Sequence, residues 1–132
     1  MKHLDERIDA WAKTVGIHDG SGPMKQALYT LSETQELLEA VHSVEEAVSD
    51  CNMMIDSPYH TPEDYEESSD RLDTGKEEVA DAIGDIYVTL KNVAYFYGLD
   101  MERCVTMAVE TIEERARKGG KMEGGVYVKE SE

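Results

Sequence analysis

Two segments of this chain carry carboxylates at one-turn helical spacing: Glu33 and Glu36 in SETQELLEAV, and Glu78, Asp81 and Asp85 in KEEVADAIGDIYVTLKN. At about 100° per residue, positions three and seven apart fall on one narrow stripe of a helix. Carboxylates stacked at that spacing repel one another. The stripe is therefore either a solvated face or a site built for cations. Each segment also has a competing apolar side. Val79, Ile83, Ile86, Leu90, Val93, Ala94 and Tyr97 form one, and Ala27, Leu28, Leu31, Leu38 and Val41 form the other. Leu31 and Leu38 are the expected core line, and Glu33 and Glu36 point away from it. Two acidic pairs on adjacent helices can face each other across a cleft, where converging carboxylates are costly unless neutralised. Ligands that are all oxygen suit Mg²⁺, with Mn²⁺ as the second choice.

The elements that must position these groups read as helical throughout. A first helix in HLDERIDAWAKTVGI carries Leu4, Ile8 and Trp11 on one side and breaks at HDGSGP. Pro23 suits the first turn of a second helix, expected over about residues 23–50. Residues 52–75 are expected to be a long acidic connection, with a short extra helix capped by Thr61 and started by Pro62. A third main helix covers about 76–97 and stops at Gly98. Asp100 caps a fourth, which runs to about 118, and residues 119–132 form a tail in which EGGVYVKE alternates as a short strand or extended arm would. The expectation is one all-α domain over residues 1–132, a four-helix antiparallel bundle completed by self-association. Its second and third helices are apolar on more than one side, which a monomer of this size does not cover.

Composition narrows the classes. The 132 residues hold 13 basic and 29 acidic side chains, for a net charge of −16. Such a field repels nucleic acid and anionic membranes. No apolar run is long enough to span a bilayer, and the amphipathic N-terminus does not read as a signal peptide. Cys51 and Cys104 lack metal-ligand spacing and read as reduced thiols of a cytoplasmic protein. Glu39 and His42 have the E-x-x-H spacing of di-iron bundles, but those need the motif twice. Trp11 and the tyrosines read as packing groups. A non-enzymatic alternative is an acidic protein that mimics nucleic acid on a basic partner.

The order of these motifs resembles the MazG-like all-α nucleoside triphosphate pyrophosphohydrolases. SETQELLEAV is similar to the family's E-E-x-x-E-L element, with Ser32 in place of the first Glu. EEVADAIGDIYVTLKN resembles its E-x-x-D helix, and YGLDMERCVTMAVETIEERARKGG its basic closing helix. Two frames fit the E-x-x-D element. One uses Glu78 and Asp81; the other uses Asp85 and Asn92 and puts Ala82 where Glu belongs. The resemblance implies a metal site drawn from Glu33, Glu36, Glu78, Asp81 and Asp85, with Asn92 nearby. It also implies cleavage of a nucleoside triphosphate to the monophosphate and pyrophosphate, in a homodimer or homotetramer. Glu33 or Glu36 would orient the attacking water. Arg115, Arg117, Lys118 and Lys121 would meet the leaving pyrophosphate.

Overall fold

A seven-residue rhythm pairs the two longest helices. In the computed structural model, which describes residues 1–129, α1 spans Lys2–Thr14, α2 Ile17–Gly20, α3 Pro23–Asp56, α4 Pro62–Phe96 and α5 Met101–Arg117. α3 and α4 form an antiparallel hairpin that makes most of the contact between elements. The α3 seam is Gln26, Thr30, Glu33, Leu37, Ala40, Val44, Ala47, Cys51 and Met54, all buried or half-buried. The α4 seam is Ser68, Leu72, Gly75, Val79, Ala82, Ile86, Thr89, Val93 and Phe96. Alternating steps of three and four are the spacing of a coiled-coil stripe.

The seam is narrow, and that overturns two expectations. Small residues line its middle, so the backbones approach closely: a Cβ on Gly75 would lie 2.8 Å from Val44 Cγ2. Leu31 and Leu38 are not in the core; they are 68% and 66% exposed on the outer side of α3. The acidic stretch 52–75 is not a connection either. α3 continues to Asp56, only residues 57–61 join the helices, and α4 runs unbroken from Pro62. Its polar first half is helical because Ser68, Leu72 and Gly75 keep one stripe against α3 while the other sides face water. The start is a capping box: Asp64 N donates to Thr61 Oγ1 at 3.2 Å, and Thr61 N donates to Asp64 Oδ2 at 3.0 Å. The cap at Thr61 is as the sequence leads one to expect.

α1 lies on α4 and is tied to it by two polar contacts. Lys91 Nζ donates to Asp9 Oδ1 at 2.7 Å, and Tyr87 Oη donates to Asp5 Oδ1 at 2.5 Å. Ala12 is fully buried beneath it. α5 is capped by Asp100, whose side chain accepts from Arg103 N, and has no extensive packing against another element. Val105, Met107, Val109 and Ile112 stay exposed along it. A closed four-helix bundle is therefore not formed within the described chain. Part of the expected extended tail is a hairpin, β1 Lys121–Glu123 paired with β2 Val126–Val128. Gly124 and Gly125 turn it with φ of 56° and 78°, the positive values a two-residue hairpin loop demands. The tail's end, residues 130–132, lies outside the described residues. Among the described residues, no helix is long and apolar enough to cross a membrane.

Candidate metal centre

The hairpin register sets three polar layers along the seam. Outermost, Asn92 Nδ2 donates to Gln26 Oε1 at 3.1 Å, and Gln26 Nε2 donates to Ser21 Oγ at 3.0 Å. Next, Thr30 Oγ1 donates to Thr89 Oγ1 at 2.8 Å. One turn further, Glu33 and Glu36 of α3 meet Asp85 of α4, with one oxygen from each within 4.8 Å of the others. Glu33 and Asp85 are half-buried and Glu36 is exposed. Glu33 Oε2 is buried without a hydrogen-bond partner.

The electrostatics follow from that crowding. Burial raises the Glu33 carboxyl above the ordinary carboxylate range, and Glu36, Asp85 and Asp81 raise it further. Asp85 is raised by burial first, then by Asp81 and Glu36. Like charges and desolvation both favour the protonated form. A bound cation would reverse both effects, and an all-carboxylate donor set is the chemistry of a hard divalent ion. No cationic side chain lies within ion-pair distance of Glu33, Glu36 or Asp85 among the described residues.

The remaining expected residues fall in different places. Asp81 acts on both Glu33 and Asp85. Glu78 is one turn further along, in a groove of about 370 Å³ shared with Glu36, Glu39 and Asp81. Of the two possible frames, the tight cluster therefore contains Asp85, with Glu78 at its margin. Asn92 is 1% exposed and faces Gln26 within the seam, so it presents nothing to solvent in this chain. Arg117 Nη2 donates to Glu114 Oε2 at 2.6 Å, Lys118 approaches the same carboxylate at 3.8 Å, and Lys121 pairs with Glu123 at 3.6 Å. Arg115 is half-buried near the end of α5. None of these four lines either groove that borders the carboxylates.

A second groove was not foreseen. About 770 Å³ opens between α1 and α4, walled by Leu4, Arg7, Ile8 and Trp11 on one side and Ile83, Asp85 and Val88 on the other. Trp11 is 47% exposed there rather than in the core. The signal was present in the spacing, since Leu4, Arg7 and Trp11 share one stripe of α1 at i, i+3 and i+7. No family model matches this chain, and no curated protein or solved structure is significantly similar to it.

Proposed function

We propose that this protein is a Mg²⁺- or Mn²⁺-dependent nucleoside triphosphate pyrophosphohydrolase of the MazG-like kind, converting a (d)NTP and water to the (d)NMP and pyrophosphate. The observation that carries the reading is the convergence of Glu33, Glu36 and Asp85 from two helices onto one spot. The raised pKa of Glu33 and Asp85 adds to it, because the protein tolerates a repulsion there that a cation would relieve. The regiochemistry comes from the motif resemblance alone.

A bound divalent ion supplies charge neutralisation and a water of lowered pKa. Glu36 and Asp85 would hold the ion. Glu33 would orient the attacking water and accept its proton. The new bond forms from water oxygen to the α phosphorus, the bond from that phosphorus to the bridging oxygen breaks, and pyrophosphate leaves with the electron pair. Self-association into a dimer or tetramer belongs to the same proposal. It is motivated by the exposed Leu28, Leu31, Leu38 and Val41 of α3 and the uncovered apolar face of α5.

Hydrolysis in ¹⁸O-labelled water with Mg²⁺ tests the assignment. Label is expected in the monophosphate; label in orthophosphate, or accumulation of diphosphate, would overturn it. One feature favours the acidic-mimic alternative: a groove of about 620 Å³ lined by Glu46, Glu63, Glu66, Glu67, Asp70 and Glu78 at the far end of the hairpin. A mimic would gain no thermal stability from millimolar Mg²⁺ at the Glu33 cluster, whereas a metal enzyme must.

A further inference from the structure

A triphosphate brought to a carboxylate-lined site needs a fixed cation besides the metal. The basic residues expected from sequence do not border that site, and several other cations are already engaged. Lys91 is buried against Asp9, Arg71 is bonded to Asp50, and Arg117 and Lys118 share Glu114. Arg7 differs from all of these. It is exposed, it has no carboxylate within 4.0 Å among the described residues, and it lines the α1/α4 groove whose opposite wall includes Asp85. Asp85 is shared between two environments, meeting Glu33 and Glu36 on the α3 side and bordering the groove on the α1 side.

We propose that Arg7 is the phosphate-binding cation of the carboxylate site, reaching from α1 across the groove to a polyphosphate held beside Asp85. The guanidinium presents a planar fork that pairs two phosphate oxygens at once, which an ammonium does not do. Leu4, Ile8 and Trp11 give the groove apolar walls on the α1 side, beside the guanidinium. Placing the cation on α1, which is tied to α4 by the Asp5–Tyr87 and Asp9–Lys91 contacts, fixes its distance from Asp85. This inference rests on the metal-site reading above.

The test compares the full-length protein with Arg7→Gln, Arg7→Lys and Lys13→Gln, the last removing an equal charge from α1 outside the groove. Mn²⁺ binding is titrated first, then binding of inorganic tripolyphosphate in saturating Mn²⁺ at two salt concentrations. Arg7→Gln is expected to bind Mn²⁺ as the unmodified protein does, yet to lose roughly 10- to 100-fold in tripolyphosphate affinity and part of the salt dependence. Arg7→Lys should fall between, and Lys13→Gln should match the unmodified protein. Undiminished tripolyphosphate affinity in Arg7→Gln, or an equal loss in Lys13→Gln, overturns the assignment while leaving the metal site standing. Failure of the unmodified protein to bind Mn²⁺ removes the metal-site reading, and this inference with it.

Discussion

Replacing Glu33 by Gln keeps the shape of the side chain and deletes one charge from a crowded cluster. Carboxylate oxygens within 4.8 Å of one another repel by about 3.5 kcal/mol per pair at an effective dielectric of about 20, and by about 1 kcal/mol in bulk water. Glu36 is exposed and Asp85 only half-buried, so each of Glu33's two pairs lies toward the lower figure. The variant should therefore be more stable than the unmodified protein at pH 7 without metal, by about 1–3 kcal/mol, or roughly 3–10 °C in Tm. The pH dependence has a definite sign. A carboxyl whose folded-state pKa is raised keeps its proton in the folded chain while the unfolded chain loses it, so stability falls as pH rises through that window. The advantage of Glu33→Gln is thus largest at neutral pH and shrinks as pH falls and Glu33 takes up its proton.

Divalent metal should reverse the order. At a Mg²⁺ concentration 100-fold above its Kd, the unmodified protein gains about 2.7 kcal/mol, and the variant gains far less. Thermal melts in EDTA and in Mg²⁺, at pH 7 and near pH 4, read all four quantities. A variant that melts below the unmodified protein in EDTA at pH 7, or that keeps the full Mg²⁺ shift, refutes the cluster as a strained cation site.

Further outcomes follow from the seam and from α1. Gly75→Ala should lower Tm by a few degrees, because overpacking against Val44 costs about 1–3 kcal/mol and outweighs the roughly 1 kcal/mol of helix propensity gained. Adding Val44→Ala should restore much of the loss, which a double-mutant cycle measures. Asp9→Asn leaves a buried ammonium without its counter-charge and should cost about 3 kcal/mol, whereas Lys91→Met frees an Asp9 that water already reaches and should cost far less; denaturant melts separate the two. The Tyr87 hydroxyl is pushed up to about 12 by burial and by the hydrogen bond to Asp5. Its neutral form therefore stabilises the fold fully below pH 10, and that contribution is lost as pH rises through about 12. Tyr87→Phe should abolish the late phase of an ultraviolet tyrosine titration and flatten the alkaline loss of stability.

Much was legible in the chain alone because it depends on neighbours a few residues apart. The helical character, the caps at Thr61 and Asp100, the Pro23 and Pro62 starts and the one-turn spacing of the carboxylates are local matters of backbone and hydrogen bonding. That carboxylates of two helices could meet was also readable from their one-turn spacing, but Glu33 lies in the seam rather than away from the core as its distance from Leu31 and Leu38 suggested. Which stripe of α3 forms the seam was not readable. α3 is apolar on more than one side, and periodicity alone favoured the large Leu31 and Leu38 over the small Ala40 and Ala47 that actually pack. Close approach decides that choice, because small side chains at Ala40, Ala47, Gly75 and Ala82 let two backbones share a narrow seam while the leucines remain outside. The same register then brings Asp85 rather than Glu78 to Glu33, and it joins the acidic stretch before residue 76 into one long helix. The placement of Arg7 opposite Asp85 belongs wholly to tertiary structure. Residues 78 positions apart share a groove only because α1 folds back along α4, held there by Asp5–Tyr87 and Asp9–Lys91.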